Sequence, residues 1–397
     1  MKNMMRLSMA SVLLLGATSV FATNGSNLIA TGSTARAMGG LGIGTPNGAE
    51  SALSNVALMN EVKANEVAFG GMFFMPDVKN TNYMGQGNGT GESASDLNVI
   101  PEISIASKIT DNFHLGIGIW GTAGMGVDYR DKKNAMQLNM VTNLQLMQFA
   151  IPFAYTKGNF SIGLTPILQY GSLDINYNNK GTTVGAGVGQ DLEFGYNIGV
   201  AYRYNGFTFG AMYKSQIDMK YKGVLTATVS PMAPGYSNDK LSTPEEMGVG
   251  MSYRNEHHTI GVDFKYINWD EAKGYKDFDW EDQKVVAIGY EYRKAKWALR
   301  AGYNYAKSPI SEQTSTKPNS AGLTSGVANT FNALGFPGII ETHYTFGGEM
   351  QVRQYTSVAF AVVYAPEVTK TFKNFMNQDI TVKHQQTSVS FDVKYKF

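Results

Sequence analysis

Few side chains in this sequence could do chemistry, and their spacing argues mostly against it. The five histidines are His114, His257, His258, His343 and His384, and none stands at an HExxH or similar metal-ligand spacing. The chain has no cysteine, which excludes a zinc–thiolate site, a thiol nucleophile and a disulfide framework. Gly116-x-Gly118-x-x-Gly121 matches a dinucleotide-binding pattern, but Leu115, Ile117 and Ile119 alternate through it and no helix follows. That fingerprint needs a strand turning into a helix N-terminus. No G-x-S-x-G elbow occurs, and the adjacent carboxylates Glu245 and Glu246 suit a loop rim. We therefore expect no enzyme, no catalytic residue, no metal and no cofactor. A site assembled from distant strands is the one enzymatic alternative left open.

Two stretches point to binding instead. Arg130, Lys132 and Lys133 stand just before Met136, Leu138 and Met140. Cations beside apolar side chains suit capture of an amphipathic carboxylate, although a loop folded over its own rim fits equally well. Farther on, Val327, Phe331, Leu334, Phe336, Pro337, Ile339 and Ile340 make residues 307–341 unusually apolar for a long loop. Such a loop either packs inward as a lid, with Phe331, Leu334 and Phe336, or offers a greasy landing surface.

The elements that position these residues are strands. Residues 388–397 place Val389, Phe391, Val393, Tyr395 and Phe397 on one face and Ser388, Ser390, Asp392, Lys394 and Lys396 on the other. The same alternation recurs from Ala64 onward, as in Phe194, Tyr196, Ile198 and Val200 against Gly195, Asn197 and Gly199. Asn205-Gly206 is a hairpin signal. Short turns alternate with long polar loops, giving about fourteen strands, an even number as closed single-chain barrels require. Closure is also how strands span lipid without unpaired backbone edges. The fold expected is all-β: a transmembrane antiparallel β-barrel.

The N-terminus supplies two further segments. Lys2 and Arg6 precede an apolar run from Leu7 to Ala17 and then Ser19-Val20-Phe21-Ala22, which predicts a signal peptide over 1–22 cleaved near Ala22. The run is too short to span a bilayer as a helix, which takes roughly 20 residues. Residues 23–62 are broken by glycines, with at most a helical turn at Ala35-Arg36-Ala37-Met38 and a short helix after Asn47. The barrel proper occupies 63–397. A net charge of +1 implies no polyanion, so no nucleic-acid partner is expected.

Within the third strand, Trp120-Gly121-Thr122-Ala123-Gly124-Met125-Gly126 breaks the alternation with three glycines. Glycine marks a bulge or bend in a strand interior. Gly121, Gly124 and Gly126 therefore predict a kink; an inward bend that opens the wall and an ordinary bulge both fit.

Taken in order, these features resemble the FadL/TodX (OMPP1) family of outer-membrane transporters. The local matches are Thr34-Ala35-Arg36-Ala37-Met38-Gly39-Gly40, Ser54-Asn55-Val56-Ala57, Pro101-Glu102-Ile103-Ser104, Gly124-Met125-Gly126-Val127-Asp128-Tyr129 and Leu299-Arg300-Ala301-Gly302-Tyr303-Asn304-Tyr305. The resemblance implies that residues 23–62, with Arg36, Asn55 and Ala57, form a hatch inside the barrel. It also implies passive uptake of fatty acids or other hydrophobic compounds, with a lateral exit at the third strand. Val56 stands where the family has proline, and the connection 176–190 is short. The implied partners are an apolar small molecule, outer-membrane lipid and the barrel assembly machinery, with the barrel a monomer. A channel for small polar solutes and a surface adhesin are the alternatives.

Overall fold

The computed structural model describes residues 23–130 and 136–397, so the expected signal peptide, Lys132 and Lys133 lie outside the described residues. Fourteen antiparallel strands form the wall. They are β1 Asn65–Met84, β2 Asn98–Lys108, β3 Phe113–Asp128, β4 in two pieces (Val141–Ala150 and Phe153–Lys157) and β5 Phe160–Asn179. Next come β6 Gly189–Tyr204, β7 Phe207–Lys214, β8 Glu245–Arg254, β9 His258–Asn268 and β10 Gln283–Lys294. The last four are β11 Trp297–Ala306, β12 Thr342–Arg353, β13 Thr356–Lys373 and β14 Asp379–Lys396.

Each strand pairs with its neighbours in sequence, and β14 returns to β1 from Ile380↔Asn82 down to Lys396↔Glu66. Asn65 and Phe397 exchange backbone hydrogen bonds of 3.0 and 3.1 Å, which fastens the two ends of the wall. The interruption in β4 comes at Ile151-Pro152, since proline has no N–H for a ladder. Asn205 and Gly206 both take positive φ, 48° and 84°, as the expected two-residue turn requires.

Alternation sorts the side chains by solvent. On β14, Phe391, Val393 and Tyr395 face outward and are exposed, whereas Ser388, Ser390, Asp392 and Lys394 are buried. Outward apolar rings with inward polar groups are what lipid outside demands. The wall is uneven: β1 and β5 each have 20 residues and β7 only 8. Twenty residues rise about 65 Å, well beyond the 9–11 residues that a tilted strand needs to span lipid.

Hatch, wall and loops pack together inside the barrel. Hatch residues Ala49, Leu53 and Met59, wall residues Leu144 and Ile167, and loop residues Trp280, Phe331 and Leu334 share one buried apolar cluster. The face assignment is checked at Val249, which points outward at mid-β8. Val249→Arg is expected to cost about 2–4 kcal/mol of folding free energy in lipid vesicles. A cost below about 1 kcal/mol would show that this face does not meet hydrocarbon.

Candidate functional site

The hatch has too little regular structure to hold itself together. It consists of a hairpin (Thr23–Asn24 with Asn27–Leu28), a helix Ser33–Ala37, and 3-10 turns Gly48–Leu53 and Val56–Glu61. The wall supplies the missing partners. Arg36 makes a bidentate ion pair with Glu102 of β2, one arm being 2.9 Å, and also reaches Ser390 of β14. The amide of Ser33 donates to Asp392 at 2.6 Å, and Lys394 donates to Glu50 at 2.7 Å and to Thr34 at 2.6 Å. On the opposite wall, Asp263 of β9 accepts the successive amides of Gly42, Ile43 and Gly44 at 2.8, 2.8 and 3.1 Å. Asn55 caps the turn Val56–Glu61 by accepting from Ala57, and its own amide donates to Ile43 and Val200 carbonyls. That side chain fixes the turn without the family's proline.

Contact this close needs inward positions without side chains. A Cβ at Gly210 would lie 1.8 Å from the Ile43 carbonyl, and one at Gly302 would lie 2.2 Å from the Gly39 nitrogen. The glycine richness of the strands thus seats the hatch.

The wall itself parts at one place. The β2–β3 ladder ends at Glu102↔Trp120, yet β2 continues against β1 to Asn98↔Phe74. β3 likewise continues against β4 to Asp128↔Val141, with a register shift between Gly121 and Ala123. Burial alternates along β3 through Trp120; beyond it every residue to Asp128 is buried except the half-buried Thr122. Both faces of this half are inside, so β3 has turned inward. Hydrogen-bonding groups freed by the turn need partners. The hatch hairpin meets this edge through the bridge Asn27↔Ala123, which includes a 3.1 Å bond from the Gly124 amide to the Ser26 carbonyl. Leu28 packs with Met72, Phe74 and Ile100 beside the break.

Two cavities adjoin the hatch. One of about 90 Å³ lies beneath the hairpin, walled by Leu28, Ile43, Ile167 and Met212 and reaching Thr122. The other, about 320 Å³, opens at the short-turn rim and is lined by charged groups, among them Arg254, Arg300, Glu349 and Lys394.

Comparison with known proteins fits this architecture. Residues 15–319 match the family described as "Outer membrane protein transport protein (OMPP1/FadL/TodX)". The chain belongs to this family. Over 387 residues it is 22% identical to the "47 kDa outer membrane protein" of Pasteurella multocida, covering 87% of each chain. Among solved structures it is similar to a Pseudomonas aeruginosa FadL homologue, with 15% identity, 94% of this chain and 100% of that one covered, and a TM-score of 0.71. The P. putida toluene transporter TodX gives 17% identity, 93% and 99% coverage and a TM-score of 0.69. As a member of the OMPP1/FadL/TodX family, the protein is an outer-membrane transport protein and not an enzyme.

In this FadL/TodX barrel the residues singled out from sequence fall into three places. Arg36, Asn55 and Ala57 lie in the hatch, as described. Gly121 sits at the bulge, Gly124 meets the hatch and Gly126 pairs with Asn143 of β4. The external segment is divided: Arg130 is exposed and ion-paired with Asp128 at 2.6 Å, whereas Met140 is buried in the interior cluster. Leu138 packs against that cluster, and the Met136 carbonyl accepts from Asn82. These three do not form one exposed platform. Phe331, Leu334 and Phe336 are buried, with Phe331 stacked on Phe278 at 4.9 Å. The Pro337 carbonyl lies 2.8 Å from His384 of β14, so this loop enters the barrel.

Sequence reading missed Asp263, Asp392 and Lys394 as hatch anchors. Their signal was a charge at an inward position of an otherwise alternating strand. It also missed Asp218, at the root of the connection 215–244. Burial opposes its ionisation, but hydrogen bonds from Lys273, Gln216, Ser242 and Lys240 outweigh that and hold the carboxyl well below the usual range.

Arg36 and Glu102 provide the test of the hatch attachment. Arg36→Met strands a buried carboxylate and should lower stability by about 3–5 kcal/mol, while Arg36→Met with Glu102→Leu should recover most of it. Urea midpoints in detergent check this; equal losses in the two variants would mean that the pair is not what holds the hatch.

Proposed function

We propose that the protein takes up hydrophobic small molecules, fatty acids or hydrocarbons, passively. Cargo enters among the external loops, lodges between hatch and wall, and leaves sideways into the outer leaflet at the β2–β3 break. The observation that carries this reading is the break itself, where the hatch hairpin stands in place of a neighbouring strand. Its hydrogen-bonded hold on β3, among the described residues, is the single bridge Asn27↔Ala123. Displacing it would open an apolar path past Leu28 and Ile100 at membrane depth.

The other way out is less suitable. The short-turn mouth is lined by paired charges, and an apolar molecule passing there would displace their water without replacing its hydrogen bonds. The toluene transporter named above is a protein of the same fold with an apolar cargo, which supports the cargo class. Neither nucleotide nor catalysis is needed, because partition into lipid drives the exit. The wall works as a monomer and is inserted by the barrel assembly machinery.

A disulfide across the break tests the route. A Cβ at Gly121 would lie 3.7 Å from that of Ile100, within the usual range for disulfides. The chain has no native cysteine to compete. Ile100→Cys with Gly121→Cys is expected to transport normally when reduced and to lose uptake when oxidised. Full uptake by the oxidised, folded barrel would rule out the lateral exit.

A further inference from the structure

The apolar run around Phe331 fills the external end of the barrel, and one of the groups that hold it there can change charge near neutral pH. Phe331, Leu334, Phe336 and Ile339 share a buried cluster with Val78 of β1, Phe372 of β13 and Ile380 and Val382 of β14. The wall and the neighbouring connection hold the run by hydrogen bonds. Asn80 donates to the Ala333 carbonyl at 3.1 Å, Thr142 to the Gly335 carbonyl at 2.5 Å, and Trp280 to the Asn332 side chain at 2.9 Å. None of these donors titrates in the physiological range. His384 of β14 does. Its Nδ1 lies 2.8 Å from the Pro337 carbonyl, which can only accept, so the ring proton sits on Nδ1. Nε2 then accepts from Gln386 at 3.0 Å. Both contacts are those of a neutral imidazole.

The outward side chains of β14 are polar from Asp379 to Thr387 and apolar from Val389 on, so His384 stands above the lipid band. Among the described residues, no free carboxylate faces it. Asp77 of β1 points outward and is taken by Lys79 and Gln385, each at 3.2 Å. Glu367 of β13 also points outward, paired with Lys383. Lys370 of β13 faces inward and pairs with Glu341 at 3.5 Å. His343 of β12 is buried with no partner for either ring nitrogen. Lid residues 331–340 carry no charge at all. A proton added to His384 would therefore be a buried charge without a counter-ion, which is costly. We infer that loop 307–341 is an acid-opened lid: protonation of His384 breaks the latch on Pro337 and favours the lid withdrawn, where the imidazole meets water. Burial pushes this imidazole down from 6.5 to about 4, although the Pro337 carbonyl and Asp77 favour its charged form. The open lid thus takes up a proton that the closed lid refuses. Closure is full above pH 6.5, weakens as pH falls and loses nothing more below about 4. At pH 5 the open-to-closed ratio is expected to stand about 30-fold above its value at pH 8. This goes beyond the uptake reading, since it concerns when the mouth opens and not what passes through it.

The test uses single thiols in the full-length folded barrel in detergent, since the chain has no cysteine of its own. Ala333→Cys places a thiol in the buried part of the lid, Ala359→Cys one in the buried wall of β13, and Ser320→Cys one on the exposed part of the loop. Each is modified with 4,4′-dithiodipyridine, which reacts with thiols in acid as well as in base, at pH 8 and at pH 5. With Ser320→Cys as the reference, the rate at Ala333→Cys is expected to rise about 30-fold at pH 5, and that at Ala359→Cys to stay level. Combining Ala333→Cys with His384→Asn keeps a donor for Pro337 but removes the proton acceptor, so the rise should disappear. His384→Gln is the second variant should the first fail to fold. A merely structural histidine would leave the pH dependence unchanged. No rise in the protein with its histidine intact, the same rise in the His384 variants, or a parallel rise at Ala359→Cys would overturn the latch.

Discussion

Charge buried at the seam is the constraint on which the rest depends. Glu102, Asp392 and Lys394 face inward from strands on either side of the β14–β1 junction, and Glu66 joins them from β1. Ions taken out of water need partners with good geometry. Arg36, the Ser33 amide, Glu50 and the Ala49 amide are those partners, and all belong to the hatch. The plug therefore completes the wall's buried charges. The glycines on the facing strands follow from the same arrangement, because only bare backbone lets a chain this irregular come within bonding distance.

The same accounting explains why the wall can part without falling apart. A strand that leaves its neighbour within hydrocarbon exposes groups that lipid cannot satisfy. β3 avoids this by turning into the barrel, where protein meets it. The hairpin that completes its edge also touches Glu246 through Asn27, so one short segment links the chamber to the break. Asn27 thus touches both the charged residues of β7–β9 and the inward half of β3.

The wall was legible because its cause is local. Lipid on one side imposes a two-residue period, and the strands repeat it wherever they face lipid, β3 losing it where it turns inward. The Asn205-Gly206 turn and the glycine run in β3 were equally readable, since backbone conformation is written in single residues. What was not legible depends on distance in sequence. Glu245 and Glu246 read as a pair on a rim, yet strand parity sends Glu246 inward to two lysines while Glu245 accepts from Tyr213. Nothing near Lys214 in the chain announces Lys265. The apolar run around Phe331 fitted a lid and a landing surface alike, because composition records that a segment is greasy and not which way it folds.

A wall sealed by its own plug bears on the permeability of the cell envelope. Were the hatch to come out, the inward charges of β1, β2 and β14 would stand in bulk water, lining a hydrophilic bore. Hatch and wall hold each other through the ion pairs Arg36–Glu102 and Lys394–Glu50. Loss of the hatch would therefore weaken the closure of the cylinder itself. The cell is thereby spared a leak: a barrel missing its plug is less apt to persist as an open pore than to fail as a barrel.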